Sequence, residues 1–170
     1  MKGKHSIRSR RQRPAYRRAL AAITAFVLAT PLWTPASAHG DVTPQAVDTH
    51  ELPPLGEPWR DENPYRGNMT AIKIGTSAFN QNCARCHGLE AISGGIAPDL
   101  RRLDRDCMDL TAEDKKLACY RDTDQYFLTS IRHGKVRNGA IYMPPFEGIL
   151  NQEAMWSIKA YLETRRVKDE

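Results

Sequence analysis

The pentapeptide Cys83-Ala84-Arg85-Cys86-His87 gathers more reactive side chains than any other stretch of these 170 residues. A C-x-x-C pair has three chemistries open to it: a redox dithiol, half of a zinc site, or thioether attachment of haem. The adjoining histidine selects among them. Two thiols at i and i+3 on one helical turn can add to the two vinyl groups of a haem, and an imidazole directly after them then lies against the iron. A thioredoxin-like dithiol needs a preceding strand in a βαβ context, which the surrounding pattern does not supply. A zinc site needs a second ligand pair at similar spacing, and Cys107 and Cys119 have 11 residues between them. The expected cofactor is one covalent haem c, held by Cys83 and Cys86, with His87 as axial iron ligand.

Haem attachment requires more of the chain. A proximal histidine normally donates its free Nδ1–H to an oxygen, which sets its tautomer and orientation. Eleven residues on, Ala97-Pro98-Asp99-Leu100 follows the flexible Ser93-Gly94-Gly95, so the Pro98 carbonyl is the expected acceptor and Leu100 is expected to pack on the ring. The second axial ligand must come from elsewhere. Met143, in Ile141-Tyr142-Met143-Pro144-Pro145-Phe146, lies between helical segments where two prolines keep the backbone extended. Such a stiff stretch can hold a thioether against an open haem face. Met69 and Met155 sit in helical patterns and read as core fillers, while Met108 adjoins Cys107. His133, just before Gly134, reads as a charge partner for a helix C-terminus.

The elements that position these residues are helical. A helix is expected from an Asn68 cap to about Asn82, with Ile72, Gly75 and Phe79 on one face. Gly75 costs ~1 kcal/mol of helix stability relative to alanine but lets another helix come close. The expected partner is a C-terminal helix capped by Asn151. It carries Met155, Ile158 and Leu162 on one stripe, Trp156 and Tyr161 beside it, Glu153 in its first turn and Arg165 and Arg166 in its last. A third helix is expected from near Asp122 to Gly134, bearing Phe127, Leu128 and Ile131. A short fourth should follow the capping pattern Thr111-Ala112-Glu113-Asp114. No useful alternating strand pattern is apparent, so the fold class is all-α. Residues 39–68 hold Pro44, Pro53, Pro54, Pro58 and Pro64, which exclude a regular helix or central strand. They read either as a disordered leader or as an arm docked through Trp59 and Tyr65.

The net charge of +5 invites a nucleic-acid reading, but the charge is misplaced for it. Eight of the 25 basic residues, and no acid, lie in residues 1–38, which leaves 17 bases against 20 acids and a net of −3 beyond them. Phosphate tracking is therefore a poor default. The basic run precedes the apolar stretch Ala19–Ala29, then Pro31, Pro35 and Ala36-Ser37-Ala38. That is the order of a secretory signal, with cleavage expected after Ala38. Eleven helical residues rise only ~17 Å, too short to cross a ~30 Å hydrocarbon core. Export places the cysteines in an oxidising compartment, and once Cys83 and Cys86 hold haem, Cys107 and Cys119 are expected to form a disulfide.

In this order, helix, Cys83–His87 motif, loop, Met143 and aromatic C-terminal helix, residues 69–165 resemble a class I monohaem cytochrome c. The division is then a signal at 1–38, an arm at 39–68, the cytochrome domain at 69–165 and a tail at 166–170. Asn63-Pro64-Tyr65-Arg66-Gly67-Asn68, Asn80–Glu90 and Arg132–Gly139 are further similar to the PedF-type cytochrome c-550 family. That resemblance implies a periplasmic electron carrier, not an enzyme and not membrane-anchored. It implies a quinoprotein (pyrroloquinoline-quinone) alcohol or ethanol dehydrogenase as donor, and a downstream cytochrome or terminal oxidase as acceptor. Met/His ligation raises the potential and leaves no substrate site on the iron. The competing classes are a haem sensor or peroxidase-like enzyme with a displaceable sixth ligand, and a haem-free dithiol oxidoreductase.

Overall fold

Asn68 starts the first helix as expected, its side-chain oxygen accepting the Ala71 N–H at 3.0 Å. A computed structural model of the protein describes residues 43–167. Its elements are α1 (Met69–Asn82), α2 (Ala84–His87), α3 (Arg105–Met108), α4 (Glu113–His133), β1 (Lys135–Arg137), β2 (Ala140–Met143) and α5 (Gln152–Thr164), with single 3-10 turns at Leu89–Ala91 and Leu100–Arg102. The signal segment expected over 1–38 and the last three residues lie outside the described residues.

The core forms where α1 crosses α5. Gly75 is buried at the crossing, and a Cβ built on it would overlap the Ser157 carbonyl, so only hydrogen fits there. Phe79 of α1 meets Tyr161 of α5 with ring centroids 5.3 Å apart. Asn151 caps α5 by accepting the Ala154 N–H at 2.9 Å. Met155, Trp156, Ile158 and Leu162 are all buried, and so is almost every other residue of this helix. Burial on all sides means that something covers the face pointing away from α1. That cover comes from α4, whose Phe127 ring lies 6.4 Å from that of Trp156, and from the arm. Leu52, Asn63 and Tyr65 are buried, and Gln152 is wrapped by it: its Oε1 accepts from Arg60 N–H at 2.7 Å and its Nε2 donates to the Gly56 and Pro58 carbonyls at 3.2 Å. The arm is thus docked over residues 43–68, and the leader alternative falls for that segment.

Four local expectations are corrected. The third and fourth helices are one, α4, because no Gly or Pro interrupts Glu113–His133. Asp122 is therefore no cap, Ala112 occupies the cap position without a side-chain bond, and Thr123 satisfies its hydroxyl inside the helix by donating to the Cys119 carbonyl at 3.0 Å. Secondly, the fold is mainly helical rather than all-α. Lys135–Arg137 and Ala140–Met143 pair as an antiparallel hairpin whose turn, Asn138-Gly139, has φ of 51° and 78°. Both turn residues are left-handed, as a two-residue type I′ turn demands, and Asn-Gly is the sequence best suited to it. Thirdly, Met69 is exposed rather than a core filler, whereas Met155 is fully buried. Lastly, α5 ends at Thr164, so Arg165 and Arg166 lie past its last turn and pair with Glu90 and Asp104. Cys107 and Cys119 form a disulfide, which ties α3 to α4.

Candidate functional site

Cys83 ends α1 and starts α2, and the amides of Cys86 and His87 both donate to its carbonyl, at 3.1 and 3.0 Å. One helical turn therefore carries both thiols, neither of them in a disulfide. Burial pushes the Cys83 thiol up to about 12, and the adjacent Cys86 adds to the shift. A redox dithiol needs a thiolate stabilised near neutral pH, and the burial of Cys83 works against one. The zinc reading has no support either, since among the described residues no group of three or more His, Cys, Asp or Glu could hold a metal ion.

His87 Nδ1 lies 2.9 Å from the Pro98 carbonyl. A carbonyl only accepts, so Nδ1 donates its proton there, and Nε2 is the ring nitrogen not engaged in this bond. The intervening loop is held locally: Ser93 Oγ donates to the Ala97 carbonyl at 2.5 Å and accepts from the Gly95 N–H at 3.0 Å. Glu90 and Ala91, at φ of 57° and 63°, turn the chain sharply after the motif through left-handed backbone that non-glycine residues rarely adopt.

These residues open onto a partly enclosed cavity. Cys83, Cys86, His87 and Leu100 line it together with Phe127 and Ile131 of α4, Ile158 and Leu162 of α5, and Tyr142 and Met143 of β2. An adjoining space shares His87, Leu100, Phe127, Ile131 and Met143 and adds Pro98, Asp99, Arg102, Tyr126, Ser130 and Lys135. The six residues expected from the sequence, Cys83, Cys86, His87, Pro98, Leu100 and Met143, thus meet around one connected space. Met143 closes a strand instead of lying in a free loop. Lys135 pairs with Met143 while Val136 pairs with Ile141, which leaves Tyr142 as an extra residue in β2. Strict alternation would send neighbouring side chains to opposite faces. The bulge re-aims them, so that Tyr142 and Met143 both line the cavity.

The lining suits a haem in its chemistry. It is largely apolar and aromatic, with Cys83, Cys86 and His87 contributed from the α1–α2 junction and Met143 from β2. Arg102, Lys135, Tyr126 and Ser130 add polar groups, and Asp99 adds one carboxylate. Among the other candidates, His133 ends α4 beside Glu147 at 3.5 Å, and His50 is exposed and paired with Asp48 at 2.8 Å. Met108 lies in α3, Met155 is in the core and His39 is outside the described residues.

Behind the site is a polar cluster that sequence reasoning missed. Lys159 of α5, with no exposed side-chain surface, reaches Asp104, Asp124 and Glu163 at 3.0, 3.1 and 3.1 Å. Arg66 from the arm adds bonds to Asp124 and Glu163 at 2.6 and 3.1 Å, and Arg166 adds one to Asp104 at 2.6 Å. Three cations balance three carboxylates. Lys159 falls in a helix otherwise read as an apolar stripe, and that interruption was the available signal.

Comparison with known proteins agrees with this geometry. The family model described as cytochrome C oxidase, cbb3-type, subunit III matches residues 70–162. Cytochrome c550 of Pseudomonas aeruginosa is 50% identical over 138 residues, 79% of this chain and 86% of that protein. Quinohemoprotein alcohol dehydrogenase ADH-IIG of Pseudomonas putida is 33% identical over 113 residues, 66% of this chain but only 13% of the dehydrogenase. The dehydrogenase ADH IIB of the same species is 28% identical over 120 residues, 69% of this chain and 15% of that protein. No solved structure gives a significant match. The chain therefore belongs to the cytochrome c family, as a relative of cytochrome c550 that binds c-type haem covalently and transfers electrons rather than acting as an enzyme.

Proposed function

We propose that this cytochrome is a soluble periplasmic carrier that takes single electrons from a quinoprotein alcohol dehydrogenase and passes them to a downstream cytochrome or terminal oxidase. The observation that carries the reading is the pairing of His87 and Met143 on one cavity, with the His87 Nδ1 proton committed to Pro98. In this reading Cys83 and Cys86 would hold the haem by thioethers, His87 Nε2 and the Met143 thioether would ligate its iron, and Leu100 would pack on the ring. The bound haem supplies one-electron chemistry. The protein's part is to keep both axial positions filled, so that the metal's surroundings change little between oxidation states. A dehydrogenase donor is supported by the likeness to a short part of two quinohemoprotein alcohol dehydrogenases. The signal-like residues 1–38 and the Cys107–Cys119 disulfide support an oxidising compartment outside the cytoplasm. No helix among the described residues is long and apolar enough to cross a membrane.

The test is stopped-flow reduction of the oxidised protein by a quinoprotein alcohol dehydrogenase turning over its alcohol, alongside the spectrum of Met143→Ala. A carrier is reduced rapidly, shows a sulfur-to-iron charge-transfer band when oxidised, and loses that band and shifts toward high spin in Met143→Ala. An unmutated protein that is high-spin, or that the dehydrogenase does not reduce, would overturn the reading in favour of a sensor or peroxidase-like enzyme.

A further inference from the structure

After Met143 the chain has no amide to donate for two residues, because Pro144 and Pro145 follow it. The first donors beyond are Phe146 and Glu147, and they bond to the Ile131 and Arg132 carbonyls at 3.0 and 3.3 Å. These carbonyls belong to the last turn of α4, where no helical amide remains to satisfy them. The segment carrying Met143 is therefore stitched to the C-terminus of α4. Arg132 reinforces the seam with its side chain: one terminal nitrogen donates to Glu147 Oε1 at 2.6 Å. Arg132 Cζ, at the centre of the same guanidinium, lies over the Trp59 ring, 4.1 Å from its centre.

Trp59 belongs to the arm, at a point where the arm is held to α5. Its neighbours on both sides, Pro58 through its carbonyl and Arg60 through its amide, are hydrogen-bonded to the buried Gln152 side chain. Gln152 Oε1 also accepts from Trp156 Nε1 at 3.3 Å. A rigid path thus runs from the N-terminal turn of α5 through Gln152 and Trp59 to Arg132 and Glu147, and so to the Met143 segment.

We infer that Trp59 and Arg132 are positioning residues through which the N-terminal arm holds Met143 at the haem cavity. The inference rests on the reading of Met143 as axial ligand. Arg132 is 23% exposed at its side chain, so the stacked pair is partly desolvated and more than a surface contact. Removing the ring frees the guanidinium, and with it the restraint on Glu147 and the bulged end of β2. The fraction of molecules with Met143 away from the iron position then rises.

An added ligand reports that fraction directly, since its apparent affinity scales with the population of the binding-competent state. The experiment titrates oxidised, haem-loaded protein with imidazole. Trp59→Ala is expected to bind imidazole roughly three- to tenfold more tightly than the unmutated protein, from the strength of a partly desolvated cation–π pair. Trp59→Phe keeps an aromatic face and should recover most of the difference. Arg132→Lys, which keeps the charge near Glu147 but loses the planar stack, should fall between, and it carries the test should Trp59→Ala not accumulate with haem. Asn68→Ala, which removes the α1 cap far from this path, lowers general stability and should leave imidazole affinity unchanged. Met143→Ala separates the two levels of the argument. Imidazole binding no tighter in Met143→Ala than in the unmutated protein would defeat the ligand reading. Tight binding in Met143→Ala, with Trp59→Ala and Arg132→Lys both unchanged or matched by Asn68→Ala, overturns the positioning role and leaves the ligand reading standing.

Discussion

Replacing Lys159 by methionine tests the buried charge cluster, because methionine keeps most of the side-chain volume and removes only the charge. Lys159, Asp104, Asp124 and Glu163 expose 0, 3, 0 and 6% of their side-chain surface. Three cations face three carboxylates, so the substitution leaves one buried negative charge without a counter-ion. Breaking a buried pair in this way costs about 3–5 kcal/mol. For a domain of this size that is a fall of about 10–20 °C in the melting temperature, measured by far-ultraviolet circular dichroism on haem-loaded protein. Neutralising one partner in Lys159→Met/Asp104→Asn should restore stability relative to the sum of the single changes, with a coupling of at least about 1 kcal/mol. A Lys159→Met protein as stable as the unmutated one, or no coupling in the double variant, would refute the argument.

Gly75→Ala should destabilise by about 1–2 kcal/mol, because overpacking against the Ser157 carbonyl outweighs alanine's helix propensity; a higher melting temperature would show that α1 and α5 can part without cost. Cys107→Ser/Cys119→Ser should lose ~3 kcal/mol in denaturant titration, from the chain entropy of the loop the bridge closes, while the haem spectrum stays unchanged. Asn138→Ala/Gly139→Ala forces two alanines into left-handed backbone at ~1–2 kcal/mol each. It should weaken the sulfur-to-iron band by loosening the bulge at Tyr142, and an unaltered band would separate the hairpin turn from the site.

The attachment chemistry was legible in the sequence because it is contiguous. Cys83, Cys86 and His87 share one helical turn, whose geometry varies little from protein to protein. The Asn68 and Asn151 caps and the small Gly75 were legible for the same reason, each being a local requirement of a helix. The hairpin was missed: Asn138-Gly139 was its one local signal, and its strands, three and four residues long, are too short to show alternation. What tertiary structure alone decided is how distant segments meet. Asp124 is fully buried in α4, where Lys159 and Arg66, 35 residues after it and 58 before it, neutralise it. The proline-rich arm offered no periodicity to read. It is ordered because Gln152, Asp124 and Arg132 supply partners that no local pattern in residues 43–68 announces. Residue spacing can dictate a turn of helix. The burial of a charge, or the docking of an irregular segment, depends on groups that only the folded chain brings within reach.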